Sequence, residues 1–253
     1  MSEKKNCNIS HHSINSISKN MREAISLSSQ FAFSLEENEM YRELEILKKQ
    51  NACCFKVLSE VANIIEINKY NGSLDFSVIE LNAFIEDVIG ACRSMLRKTG
   101  IKLDFEPSEN DAYVRLDSDR FNACLLNLLV NSFANVDQEE GRVKVCVKLL
   151  SDSVCVQVID NGYGMTTAEA ADYMNKDDVA SGFAILKKFC EAHGAYVIFE
   201  SSENDGFAIS LKLPLCTDVD GLRSPKAIIK NSTFSLTNIL LSKLDFIEVD
   251  GIE

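Results

Sequence analysis

From Leu44 onward, apolar residues recur at Leu44, Leu47, Cys54, Leu58, Val61 and Ile65, in steps of 3, 7, 4, 3 and 4, with Asn51 in the gap. Steps of three and four keep side chains on one helix face, so the pattern is an a/d heptad seam. Upstream, Ile14, Ile17, Met21, Ile25, Ser28, Ala32 and Leu35 trace a second, weaker seam, and the polar run Glu36-Glu37-Asn38 separates the two. Two amphipathic helices with a short connection predict an antiparallel hairpin over residues 1–72, ended by the turn pair Asn71-Gly72. A lone hairpin buries only one face. Two copies are therefore expected to pair into a four-helix bundle as a homodimer, with a helical cap on the next domain as the other solution.

Beyond Gly72 the period changes. A third helix is predicted over about residues 80–98, stopped by Gly100, and residues 101–105 and 113–116 alternate as strands. Asp117 or Ser118 caps a helix that runs to about Asn135. Strands follow at 142–150 and 154–160, then a helix at 183–192 before Gly194, then strands at 195–200 and 206–213. Residues 73–215 thus read as an α+β domain, with mostly antiparallel strands and helices on one face. Residues 216–253 form a tail without a clear assignment, although 235–249 holds an apolar run.

Composition narrows the partners. The chain has 253 residues, a net charge of -12 and a pI of about 4.8. An acidic chain lacks the basic footprint that nucleic acid or an anionic membrane needs. No stretch reaches the ~18 apolar residues of a membrane span, and the polar Met1 to Ser10 lacks a signal-peptide core. A cytoplasmic location is expected. The first helix starts within about ten residues of Met1, so input is expected from a partner or from expression level rather than from an N-terminal sensor. The nine cysteines include no C-x-x-C pair, and the three histidines lack ligand spacing to them, so buried reduced thiols are expected rather than zinc.

Candidate chemistry sits in the second half. Asp160-Asn161-Gly162-Tyr163-Gly164 follows directly on a strand. An aspartate there can accept a hydrogen bond from an adenine amino group, and alternate glycines allow close backbone approach and positive φ. Alone, D-x-G-x-G is also an ordinary tight turn. Asn127 and Asn131 are four residues apart and share one helix face. Two amides on an apolar helix are costly to bury unless bonded, and a divalent metal bridging phosphates would accept their oxygens. Backbone-bonded core amides are the other reading.

The order of Asp119-Arg120-Phe121, Asn127 to Ser132, D-x-G-x-G, Gly182-Phe183-Ala184-Ile185 and Glu191-Ala192-His193-Gly194 resembles the GHKL (Bergerat-type) ATP-binding sandwich of sensor histidine kinases, over roughly residues 102–213. That resemblance implies ATP with Mg²⁺, the metal at Asn131, Asn127 near the phosphates and Asp160 on adenine. It also implies that Gly162 and Gly164 shape the pocket and that Gly182 is the last glycine of the phosphate loop. His193 reads as a helix-end or core histidine. The hairpin is similar to the family's dimerisation and phosphotransfer domain, which implies a response regulator or another histidine kinase as partner.

The chain departs from the family pattern at several places. In the acceptor motif, Ser18, Met21, Arg22 and Ile25 agree, but Lys19 replaces the histidine, Asn20 the acidic neighbour and Ala24 the proline. A neutral imidazole, with a pKa of about 6.5, is a nucleophile near pH 7, whereas a lysine near ~10.4 is protonated. Asn20 cannot act as a base. His11 and His12 lie two turns upstream without an acidic neighbour. In the phosphate loop, Asp178-Val179-Ala180-Ser181-Gly182 has lost two glycines and gained a carboxylate that repels polyphosphate, and Ala134 stands where the family usually has lysine. The stretch between Gly164 and Gly182 is short, so a reduced lid is expected. The expectation is a histidine-kinase-like two-component signalling protein, a pseudokinase that acts by dimerisation and partner binding. An active kinase that phosphorylates another histidine or a partner chain is the alternative. An ATP-dependent module similar to kinase-type anti-sigma factors fits the long hairpin less well.

Overall fold

The computed structural model describes residues 60–164 (Gln138 apart), 182–201 and 206–217, with Ser28, Ile46, Leu47, Gln50 and Cys54 as isolated helical positions. Most of the predicted hairpin lies outside these residues, Lys19 and Asn20 included, as does the tail after Thr217. The last turns of the second hairpin helix, 60–69, are described. Their most buried residues are Ala62, Asn63 and Glu66. The seam positions Val61 and Ile65 are half-buried, and Ile64 is 40% exposed.

Six strands were expected and seven are present among the described residues: β1 (Phe76–Glu80), β2 (Lys102–Glu106), β3 (Tyr113–Asp117), β4 (Arg142–Leu149), β5 (Ser153–Asp160), β6 (Tyr196–Ser201) and β7 (Phe207–Pro214). Three helices intervene: α1 (Leu81–Met95, extended by a 3-10 turn over Leu96–Lys98), α2 (Ser118–Asn135) and α3 (Gly182–His193). β1 pairs only with β3, antiparallel. The other five form one sheet in the order β2-β4-β5-β7-β6, antiparallel except for the parallel β2–β4 pair.

Local chemistry explains the boundaries. Glu80 is the N-cap of α1: its carboxylate accepts the Asn82 and Ala83 amides at 3.1 and 2.7 Å and also that of Ala112 at 3.2 Å. The helix therefore starts one residue later than predicted, because Glu80 caps rather than joins it. Of the two N-cap candidates for α2, the structure selects Asp117, whose Oδ1 accepts the Arg120 amide at 3.1 Å while Oδ2 accepts the Asp75 amide at 3.0 Å.

The core lies between the five-stranded sheet and the helices. β5 alternates half-buried and buried residues along its whole length, with Val154, Val156, Val158 and Asp160 inward. α2 is buried on most of its circumference, including Phe121 and every residue from Ala123 to Val130. Phe121 joins all three helices, with ring centroids 5.6 Å from Phe84 of α1 and 5.7 Å from Phe189 of α3. Each such ring contributes roughly 1.5–3 kcal/mol by burial alone.

A polar latch ties the 60–69 helix to α2. Glu66, 5% exposed, is paired with Lys69 and lies 3.8 Å from Arg120 Nη1. Arg120 Nη2 donates to the Lys69 carbonyl at 3.2 Å, and the guanidinium carbon stands 5.3 Å from the Tyr70 ring centroid. Arg120 Nε and the Tyr70 hydroxyl are buried without a hydrogen-bond partner among the described residues.

Candidate functional site

α2 is the spine of the site. Asn127 and Asn131 lie one turn apart, as their spacing predicts, and both face the first residue of α3. A Cβ on Gly182 would stand 2.9 Å from Asn127 Oδ1 and 3.4 Å from Asn131 Nδ2. Asn127 is 3% exposed, and its Nδ2 donates to the Ala123 carbonyl at 3.1 Å, which leaves Oδ1 turned toward Gly182. Half of the core-amide reading thus holds, since the donor end is backbone-bonded. The oxygen and the second N–H of the amide are left for other partners.

One turn further, Asn135 continues the row, with Nδ2 donating to the Asn131 carbonyl at 2.8 Å. Its own carbonyl accepts the Tyr163 amide at 3.4 Å. The two glycines of D-x-G-x-G are needed for different reasons. At Gly162 a Cβ would collide with the Asn135 carbonyl, so the turn is pressed against the end of α2. At Gly164 the backbone is left-handed, with φ of 64°. Tyr163, between them, is 69% exposed. Asn161 fastens the turn to β4: its Oδ1 accepts the Arg142 amide at 2.6 Å and its Nδ2 donates to the Glu140 carbonyl at 3.3 Å.

Asp160 ends β5 and is 6% exposed. Burial raises its pKa above the usual carboxylate range, and bonds from the Ser132 hydroxyl and the Gly162 and Phe207 amides oppose that rise. The Gly162 amide is 3.1 Å from Oδ1. A carboxylate offers roughly four lone-pair sites, so the Gly162 amide leaves it able to accept a further donor. Gly206, with φ of 82°, lets the β7 strand begin against Asp160, because a Cβ there would collide with the Asp160 carbonyl.

The structure therefore brings together Asp160 and Gly162 at one end of the α2 face, and Asn127, Asn131 and Gly182 further along it. Ser132, Asn135 and Gly206 were missed by sequence reasoning. The only signal for Asn135 was a third asparagine in the i, i+4 series, and for Gly206 a glycine opening a strand. Gly182 is the one described residue of the phosphate-loop stretch, since 178–181 lie outside the described residues. Ala134 is exposed. No group of three or more His, Cys, Asp or Glu side chains able to hold a metal occurs among the described residues. The donor set is amide oxygen, which suits Mg²⁺ only when phosphates and water complete the octahedron. Within that limit the residues fit a Mg²⁺–nucleotide.

His193 stands apart. Its Nδ1–H donates to the Phe189 carbonyl at 2.9 Å, and its Nε2 accepts the Asp117 amide at 3.1 Å. The ring stacks on Phe189 at 4.1 Å. Burial lowers its pKa, keeping it neutral. It serves as a helix-end core residue, as read from the sequence.

Comparison with known proteins adds a class. The family described as Histidine kinase-, DNA gyrase B-, and HSP90-like ATPase matches residues 116–217, from the end of β3 to just past β7. Sporulation kinase B of Bacillus subtilis is 23% identical over 67% of this chain and 43% of its own length. Sensor histidine kinase ZraS of Klebsiella oxytoca is 26% identical over 63% of this chain and 35% of its own length. Among solved structures, the catalytic domain of histidine kinase ThkA has a TM-score of 0.51 at 24% identity, covering 56% of this chain and 97% of that one. Full-length ShkA in complex with AMPPNP has a TM-score of 0.56 at 18% identity, covering 92% of this chain and 54% of that one. The fold and site thus define a GHKL-type ATPase domain. Residues 116–217 match that ATPase family, and the chain is similar to sensor histidine kinases over about two thirds of its length. The matches span less than half the length of the two curated relatives. No helix among the described residues is long and apolar enough to cross a membrane.

Proposed function

We propose that this chain is a cytoplasmic two-component signalling protein that keeps the kinase's nucleotide pocket but does not phosphorylate itself. In this reading it acts as a homodimer that engages a response regulator or another histidine kinase. The observation that carries the nucleotide half is Asp160, a buried carboxylate whose Oδ1 accepts the Gly162 amide and which keeps room to accept a further donor. Asn127 and Asn131 would hold the metal and phosphates beside Gly182. Bound ATP with Mg²⁺ would supply a transferable γ-phosphoryl group.

The non-catalytic half rests on the sequence. Lys19 and Asn20 supply neither a nucleophile near pH 7 nor its base, and the phosphate-loop stretch of the sequence has lost two glycines and gained Asp178. Retention of both α2 asparagines supports a second reading, transfer to a histidine elsewhere or on a partner chain.

Two measurements separate these readings. Titration with a fluorescent ATP analogue and Mg²⁺ should give saturable binding that Asp160→Ala abolishes. The absence of saturation at millimolar nucleotide removes ATP from the proposal. Incubation with γ-labelled ATP should leave this chain unlabelled. Acid-labile label on it, alone or with a partner present, overturns the pseudokinase.

A further inference from the structure

One sheet face and one stretch of sequence have no role in the site. α2 and α3 pack on the inner face of the five-stranded sheet, where Val145, Val156 and Leu211 join the core. The outer face carries the alternate residues. Its central row pairs Cys146 with Gln157 and Gln157 with Ser210, then reaches Ile198 on the edge strand β6. Cys146 is 4% exposed and Ser210 8%, yet Cys146 lies outside the hydrophobic core cluster. Ile198, by contrast, is 43% exposed and Tyr196 73%. The next row pairs Lys148, Cys155, Lys212 and Tyr196. On this face the three central strands carry Arg142, Lys144, Lys148 and Lys212 and no carboxylate. Lys144 is paired with Glu106 of the edge strand β2, which leaves Lys148 and Lys212 as the cations of the lower row. The edge strands add Lys102, Asp104 and Glu106 of β2 and Glu200 of β6 to this face, so its basic part is the centre, in a chain of net charge -12.

We propose that residues 234–249 of this same chain dock on that outer face. Three observations select this occupant. First, the chain leaves β7 at the right end of the sheet: Leu215 N donates to the Asp152 carbonyl at 3.3 Å, in the β4–β5 turn, beside the row of Lys148 and Lys212. The residues between Thr217 and Phe234 can span roughly 50 Å when extended, far more than the width of the sheet. Second, Leu236, Leu240, Leu244 and Ile247 recur in steps of 4, 4 and 3, one apolar stripe of a helix. Third, Asp245 and Glu248 within the segment and Asp250 and Glu253 just beyond it outweigh Lys243 and make this end acidic, which complements central strands whose outward charges are all cationic. The docked segment covers the exposed Ile198 and Tyr196 of β6.

Cys155, half-buried in the lysine row, reports on the cover, and Cys124, 1% exposed in α2, reports on global folding. Iodoacetamide labelling of the full chain, resolved by peptide mass spectrometry, compares the natural sequence with Leu240→Asp/Leu244→Asp and with Lys148→Glu/Lys212→Glu. The second pair changes surface residues only and keeps the test valid if the first unfolds the chain. Cys155 is expected to label at least fivefold faster in each variant, with Cys124 unchanged. Unchanged Cys155 rates in the charge-reversal variant overturn the proposal. So does protection that disappears on dilution of the natural chain, which assigns the face to a second copy.

Discussion

At the residue scale, two buried titratable groups give opposite pH signatures. The pKa of His193 is lowered in the fold by burial, so the unfolded chain takes up its proton first. Its stabilising neutral form is fully present above the ordinary histidine value of about 6.5 and is lost as pH falls through the lower folded value. Urea denaturation between pH 7 and 5 should show falling stability, and His193→Gln should flatten that slope. The pKa of Asp160 is raised, again mainly by burial. The folded protein therefore holds that proton more tightly than the unfolded chain, and the acceptor is lost at a less acidic pH than for an ordinary aspartate. Nucleotide affinity should accordingly weaken on acidification before ordinary carboxylates titrate. Asp160→Asn, which keeps the size but loses the charge and turns an acceptor into a donor, should lower affinity at least tenfold at pH 7, measured by calorimetry.

At the element scale, the latch makes α2 and the 60–69 helix respond together. Arg120→Ala leaves Glu66 buried with Lys69 as its remaining cation and strips the face of Tyr70. The expected loss is about 2–3 kcal/mol, below the ~3–5 of a fully broken buried pair because Lys69 remains. Adding Glu66→Gln should recover part of it, so a double-mutant cycle in urea should be non-additive. Phe121→Ala removes the ring shared by three helices and should cost about 3–5 kcal/mol, with a matching fall in the denaturation midpoint. The contrast matters because Phe121→Ala loosens the core, whereas Arg120→Ala should also change the proteolytic sensitivity of the 60–69 helix relative to the sheet.

At the scale of the whole molecule, legibility followed the range of the physics. The β5 strand, the α2 helix and the D-x-G-x-G turn are local patterns, and they stand where the sequence put them. β1 escaped because Phe76–Glu80 is only partly buried, without clean alternation, and its single partner lies beyond α1. The parallel β2–β4 pair joins segments separated by β3 and α2, and no local pattern records a register of that length. Site residues divide in the same way. Asn127, Asn131, Asp160 and Gly162 announce themselves by type and spacing. Ser132 and Gly206 matter only because α2 and β7 converge on Asp160, a fact of packing.

One further property follows from the asparagine row of α2. Asn127 and Asn131 meet Gly182 at the start of α3, Asn135 meets the turn at Gly162, and all three depend on the same helical phase. An α-helix advances about 100° per residue. A single alanine inserted after Leu126 would thus turn one side of the helix against the other. Either Arg120 would leave the latch or the asparagines would leave Gly182 and the turn at Gly162. α2 works as a gauge bar cut to one length, tolerant of what its exposed positions carry and intolerant of how many residues lie between its ends.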